Sequence, residues 1–584
     1  MVRRIWQLLF VAFSFLYLFF YCGATLSVME QMQIFLYDKF FFYKHFAMPG
    51  GLLTYLSEFL IQFFYYSGAG AFIVTMLLLA IQELVSRMYR ISDNFYFISF
   101  IPSFLLLLLQ TSEEYAFSNT AGIFLVAGAL FFNYQIQQTT LRYASTLASI
   151  LLLYVIAGGY AFFFAIAAVT CELFKQKEYK RLGFILVLIV SSVFVWFIAY
   201  KFVFVSVNAV GVALEPFPKF LGMSGFSEWG PYLITWLFFI LAPAMPCMVK
   251  RNGNKVFGLY FYVNVLSLAL MAFFTVRFSA TDRNLEKLFL MGDAAQKNDW
   301  DEVLQISGEV RQPGQLLSLY TNIALCKKGV LGDKMFFYEQ PLHEKGMYAP
   351  FQKNPIVLLF GSDLYYQLGL VNYAYRWLME GTVINGLSSR FLIKMAHIAI
   401  INKDYALAQK YLNTLKKTLF YKRWALNQER YINSSDLSNS DIKIKRALLP
   451  TNDYLIGEDF EFEAFLTYFL KDNPKNRFAF DYFMGYNLLS KNLAGFVRHL
   501  PLMPGFGQRQ LPRHYQEALL IYAMQSGDKS LLSGISPEVQ SKFDAFNQIF
   551  YGSPNPEQAR KQLVGQFKNT YWYYFLYVNN PKAN

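Results

Sequence analysis

The chain has 584 residues, 55% of them apolar and 19% aromatic, with only 16% charged and a formal net charge of +13. These proportions exclude an ordinary water-soluble domain and belong to a chain solvated partly by lipid. Four cysteines, three in or beside apolar runs (Cys22, Cys171, Cys247) and Cys326 alone in the polar half, exclude a disulfide-stapled scaffold and show no zinc-ligand spacing.

In chain order, Arg3 and Arg4 precede an apolar run at 5–25. No small-residue cleavage site follows, so the run reads as a retained first span. Further spans are expected at 68–85, 95–111, 119–136, 144–158, 160–174, 182–204, 231–249 and 256–276. With the N-terminus inside, the inner loops hold Arg3, Arg4, Arg87, Arg90, Arg142, Lys175, Lys177, Lys180, Arg181, Lys250, Arg251 and Lys255. The outer connections hold only Lys39, Lys44, Lys201 and Lys219, as the positive-inside rule requires. Glu172, beside the inner end of the sixth span, reads as a partner of its neighbouring lysines. An odd number of spans sends the C-terminal half to the non-cytoplasmic side, the periplasm if the membrane is a bacterial inner membrane. The expected architecture is all-α. Residues 1–279 form a multi-pass membrane domain with an interfacial first outer loop at 26–67, and 280–584 form an extracytoplasmic helical domain.

That second domain reads as paired helices. "AYRWL" (374–378) and "AQKYL" (408–412) repeat with the tetratricopeptide (TPR) period of thirty-four, and the second copy is bounded by a turn at Asn402-Lys403-Asp404. Similar patterns occur at 291–307 and 478–500. A TPR-like array offers a surface for a protein partner, and an irregular bundle is the plainer reading. After residue 276 there are 36 basic against 28 acidic residues, a balance that fits closeness to anionic lipid, and no nucleic-acid module is present. His343, His397, His499 and His514 show no catalytic or metal spacing and read as core or surface residues.

The outer loops are short of positive charge but rich in carboxylates: Glu30, Asp38 and Glu58 in the first, Glu113 and Glu114 in the second, Glu215 and Glu228 in the fourth. Met29, Met32, Phe35 and Leu36 recur at helical spacing, Phe40-Phe41-Phe42 suits a lipid interface, and Pro49-Gly50-Gly51 stops the helix before an amphipathic piece begins at Leu52. Glu30 and Asp38 lie about 80° apart around an ideal helix, so a shared target requires a bend or a second helix.

An acidic first outer loop folded along the membrane, followed by acids just after the third span in "TSEEY" (111–115), resembles the GT-C class of membrane glycosyltransferases. Members of that class use polyprenyl-phosphate-linked sugars on the non-cytoplasmic face. Oligosaccharyltransferases and TPR-bearing O-mannosyltransferases within it transfer them to proteins. The resemblance implies Glu30 or Asp38 as base or acceptor-orienting acid. It further implies Glu113 and Glu114, with one first-loop acid, as a site for Mg2+ or Mn2+, and Lys39, Lys44, His45 and Arg277 as ligands of the donor phosphate. The sequence departs from the class's spaced acid pairs, with a lone carboxylate in Glu30-Gln31-Met32 and adjacent glutamates at 113–114. Two other readings stand beside this one. A scaffold tethered by its spans would leave the acids merely solvated and Lys39 and Lys44 on lipid headgroups. A transporter or polysaccharide polymerase would place charge within the spans, which are nearly free of it.

Overall fold

The structure, a computed structural model, describes residues 2–175, 180–216, 226–243, 258–279, 282–433, 441–452, 461–506 and 510–578. Lys177, Lys219, Cys247, Lys250, Arg251, Lys255 and the end of the expected eighth span lie outside these, as do the side chains of Lys175, Lys180, Arg181 and Glu228. Among the described residues there are helices and turns but no strand. The chain divides into two compact units: residues 1–282 with 417–422, and residues 283–416 with 423–584.

Among its described residues the first unit is built on the helices α1 (Val2–Tyr21), α2 (Gly23–Gln31), α3 (Lys39–Phe46), α4 (Gly51–Ile61), α5 (Ser67–Met88), α6 (Ile101–Leu109), α7 (Phe117–Gln135), α8 (Thr139–Ala157), α9 (Tyr160–Lys175), α10 (Lys180–Ile198), α11 (Ala209–Leu214), α12 (Phe226–Leu241) and α13 (Leu259–Arg277). Among the described residues six helical stretches are long and apolar enough to cross a membrane: Val2–Tyr21, Ser67–Met88, Phe117–Gln135, Thr139–Ala157, Leu182–Val203 and Tyr260–Arg277. Shorter apolar helices occupy Asp93–Leu109, Tyr160–Leu173 and Trp229–Leu241, at the three remaining segments read from the sequence as spans.

Backbone polarity is satisfied within each helix, so small residues and buried polar side chains hold the helices to one another. Gly122 on α7 lies under the Tyr160 ring of α9, where an added Cβ would come within 2.5 Å of Tyr160 Cζ. Buried Gln82 of α5 donates to Ser99 Oγ at 2.7 Å and to Tyr96 Oη at 3.1 Å, and accepts from Gln7 Nε2 of α1 at 3.0 Å. Glu172 pairs with Arg142, not with the lysines near it in sequence: Arg142 Nε and Nη2 donate to its two carboxylate oxygens at 2.5 and 3.2 Å. Both side chains are buried, because α8 and α9 pack as a hairpin that brings the first turn of one against the last turn of the other.

Two glycine turns fix where the first loop sits. Gly50 adopts φ +64°, and Gly158, between α8 and α9, adopts φ +56°. A Cβ on Gly50 would stand 2.3 Å from Pro216 Cδ and 2.9 Å from the Ala157 carbonyl carbon, and one on Gly158 would stand 2.2 Å from Glu215 O. Only glycine combines that backbone conformation with so close an approach.

The second unit is a series of helical hairpins. Among the described residues five of its turns share one construction: Asn298, Gly329, Gly369, Lys403 and Lys491 adopt left-handed φ, and the next amide reaches back five residues to a helix carbonyl, at 2.9 to 3.0 Å. In three of them that next residue also starts the following helix, since the side chains of Asp299, Asp404 and Asn492 accept from the amides of Glu302, Leu407 and Gly495. Hairpins Pro355–Leu368/Val371–Asn385 and Ser389–Ile401/Tyr405–Leu415 repeat at thirty-four residues: Gly369 corresponds to Lys403, and buried Ala374 and Leu378 correspond to buried Ala408 and Leu412. The same core holds a charged cluster in which Asp363 accepts from Tyr320 Oη at 2.5 Å and pairs with Arg390 at 3.4 Å and with Lys394.

Asp363→Ala is expected to leave the 2%-exposed Arg390 with only the more distant Asp293, 4.0 Å away, and to cost about 3 kcal/mol. Gly50→Ala is expected to cost about 1–3 kcal/mol through its left-handed φ alone, with the Pro216 clash added. Thermal unfolding of the purified chain in detergent measures both.

Candidate functional site

The acids singled out in the first loop sit in a folded element of its own kind. α2 ends at Gln31 and residues 34–38 run without helix, so the helical spacing of Met29 to Leu36 does not continue as one helix. The departure has a cause in backbone pairing: Tyr37 N donates to Lys417 O at 2.8 Å. Phe35 becomes the centre of an aromatic core, with the Tyr55, Tyr37, Phe59 and Phe41 rings 5.0 to 5.5 Å away. α3 and α4 thereby fold over the extended stretch. Phe40 (76% exposed), Tyr43 and Phe46, at every third position along α3, form an open aromatic face, and Lys39 and Lys44 beside it are exposed. Such a face with flanking lysines suits the headgroup boundary of a bilayer.

Glu30 lies in the last turn of α2 and is only 5% exposed. Tyr421 Oη donates to its Oε2 at 2.6 Å. Asp38 stands just before α3, where Lys417 Nζ approaches its Oδ2 at 3.4 Å. Both acids are therefore engaged by one short segment, residues 417–422, which belongs to this unit although it lies nearly four hundred residues further along the chain. Thr418 Oγ1 accepts from Tyr421 N at 3.1 Å and tightens that segment into a turn. Phe420 stacks on Tyr65 with ring centroids 4.9 Å apart and planes 7° from parallel, and meets Phe63 and Tyr66 edge-on.

His45 faces Glu58 rather than open solvent. Its Nε2 is 3.1 Å from Glu58 Oε2 and its Nδ1 is 2.9 Å from Phe41 O. Burial works against the imidazolium, but the hydrogen bond and charge of Glu58, helped by the Phe41 carbonyl, outweigh it and raise the pKa above the ordinary histidine value.

Glu113 and Glu114 lie in the turn after α6, the first half-buried and the second exposed. Among the described residues no three His, Cys, Asp or Glu side chains gather as a group that could hold a metal ion, so these two and a first-loop acid do not form the oxygen-rich site expected of them. Beneath that turn lies a buried network: Gln110 Nε2 donates to Thr120 Oγ1 at 2.8 Å, Thr120 Oγ1 to Tyr115 Oη at 3.2 Å, and Tyr160 Oη to Asn119 Oδ1 at 3.0 Å. Burial raises the Tyr115 phenol well above its ordinary pKa, so it stays protonated.

Arg277 is exposed at the end of α13, its guanidinium 5.8 Å from the centre of the Phe278 ring. Phe278 also lines an apolar cavity of about 530 Å³ between α6, α12 and α13, walled by Phe104, Leu108, Ile234, Met271 and Phe274 among others. This cavity has no counterpart among the sequence expectations. Neither have Lys417, Phe420 and Tyr421, whose sole local sign is an apolar-aromatic "TLFY" at a break between helices.

Fold and site together define an all-helical membrane protein whose first unit carries a buried, hydrogen-bonded carboxylate after its first apolar helix. The chain belongs to a family of unknown function, DUF6057, whose model matches residues 1–578. No curated protein and no solved structure matches it.

The His45–Glu58 pair predicts a pH dependence of definite sign. A histidine whose folded pKa is raised adds stability that is complete below the unfolded value near 6.5 and is lost as pH rises through the higher folded value. The expected loss is about 1 kcal/mol or less, the scale of a partly exposed pair. Thermal unfolding from pH 5 to 8.5, about two units either side of neutrality, should show this slope in the wild type and a flatter one in Glu58→Gln.

Proposed function

We propose that this protein is a membrane glycosyltransferase of GT-C type. It moves a sugar from a polyprenyl-phosphate or polyprenyl-pyrophosphate donor to an acceptor, with protein favoured, on the non-cytoplasmic face. The observation that carries the reading is Glu30, a carboxylate 5% exposed at the end of α2 and hydrogen-bonded to a hydroxyl. Burying a carboxylate costs several kcal/mol, and an acid placed beside an apolar helix of a membrane unit is a functional-site candidate. The apolar cavity, lined in part by Phe278, whose ring lies 5.8 Å from the Arg277 guanidinium, supports a donor made of an isoprenoid chain and a phosphate.

In the transfer, Glu30 takes the proton of the acceptor as the acceptor atom bonds to the anomeric carbon. The bond from that carbon to the phosphate oxygen breaks, and the phosphate leaves with its electron pair. Asp38 orients the acceptor. Arg277 balances the leaving phosphate's charge, and Lys39 and Lys44 hold anionic headgroups at the boundary. His45 acts through Glu58, holding α3 on α4, and no step is routed through a metal. The hairpins of the second unit, read as TPR-like repeats, hold an extended polypeptide acceptor.

Glu30→Gln is expected to lower cellular glycoconjugate formation by about 100-fold or more at normal protein level, and Asp38→Asn by about tenfold. The readout is glycan on total membrane and extracytoplasmic protein, compared with a deletion strain. Wild-type glycan in Glu30→Gln would refute the reading.

A further inference from the structure

The segment 417–422 does more than contact the proposed site. It occupies both acids at once, with Tyr421 Oη on Glu30 Oε2 at 2.6 Å and Lys417 Nζ beside Asp38 Oδ2 at 3.4 Å. Its seating is made of separable contacts, among them a backbone hydrogen bond from Tyr37, the Phe420 ring against Tyr65, Phe63 and Tyr66, and an edge contact between Tyr421 and Tyr65. No covalent link or continuous helix holds it there, and Lys417, Leu419 and Lys422 are exposed. With the segment seated, Glu30 is 5% exposed, so no external acceptor reaches that carboxylate.

A phenolic O–H donating to a carboxylate is the same donor–acceptor pair that a hydroxyl nucleophile makes with its general base. We infer that Tyr421 is an internal placeholder for the acceptor. The Glu30 site takes a hydroxyl-bearing acceptor, and the strap formed by residues 417–422 withdraws its own hydroxyl when that acceptor enters. The inference rests on the transferase reading and adds to it the acceptor's chemistry, an oxygen nucleophile instead of an amide nitrogen. Phe420 is the hinge-side anchor of the strap and Tyr421 its reporting group. Removing the Tyr421 hydroxyl leaves the ring contact with Tyr65 in place and deletes the hydrogen bond to Glu30.

The test uses the full chain, in lipid nanodiscs and in cells. In nanodiscs, hydrogen exchange of peptides covering residues 24–38 is expected to quicken about tenfold in Tyr421→Phe and in Phe420→Ala, the scale of one lost hydrogen bond to a charged group, with exchange in α5 and α7 unchanged. Unchanged exchange at 24–38 in both variants overturns the strap. In cells, Tyr421→Phe is expected to raise glycan output two- to threefold, or roughly the population freed from self-occupancy, while Glu30→Gln abolishes it. Tandem mass spectrometry of the products is expected to find the sugar linked through oxygen. A fall in Tyr421→Phe to the Glu30→Gln level makes Tyr421 a required group and overturns the placeholder. Linkage through an amide nitrogen, or sugar found on Tyr421 itself, also overturns it. Glycan that is unchanged in Glu30→Gln defeats the transferase reading and this inference with it, whereas glycan lost in Glu30→Gln but unchanged in Tyr421→Phe defeats the inference alone.

Discussion

A carboxylate removed from water must be met by donors, and the first unit is arranged around meeting that requirement at Glu30. Tyr421 supplies a hydroxyl at 2.6 Å, and its arrival has structural consequences that spread through the loop. The chain at 34–38 gives up helix to pair with the Lys417 carbonyl. Phe35 turns into an aromatic core with α3 and α4, and the Pro49-Gly50-Gly51 turn packs against the turn between α8 and α9. An oddly charged loop between apolar helices thereby becomes a folded element with its acids held by Tyr421, Lys417 and His45 and with one face of exposed aromatic residues.

Much of this architecture is legible in residue order because it is local. Apolar runs of span length give the long helices of the first unit, and the three weaker runs emerge as the shorter apolar helices. The thirty-four-residue repeat is legible for the same reason. The left-handed turn at Lys403 and the cap at Asp404 are encoded within a few residues, and the buried Ala408 and Leu412 follow at helical spacing. Glu30 and Asp38 stand out because they lie in a carboxylate-rich outer loop directly after the first apolar run.

What residue order does not carry is pairing at long range. The Glu172 partner is Arg142, thirty residues away on the facing helix, while the nearer lysines offer a plausible local alternative. His45 has the look of an anion ligand until Glu58 is found 3.1 Å from it. Tyr421 lies 391 residues from Glu30, and no periodicity links them. Glu113 and Glu114 mark the opposite failure: adjacent in sequence to a buried hydroxyl and amide network, they do not assemble with the first-loop acids into a metal-binding group among the described residues. Patterning tells which face of an element is buried, and only the fold tells what that face meets.

The proposed donor supplies the most direct test of the whole account, because the account assigns its isoprenoid chain to the apolar cavity bordered by Phe278 and its phosphate to the neighbouring Arg277. The measurement is photo-crosslinking of the purified chain in vesicles doped with a diazirine-bearing polyprenyl phosphate. The account predicts adducts on Phe104, Leu108, Ile234, Phe274 or Phe278, removed by unlabelled polyprenyl phosphate and not by phosphatidic acid. Adducts spread evenly over the lipid-facing helices, or removed equally by phosphatidic acid, would contradict it.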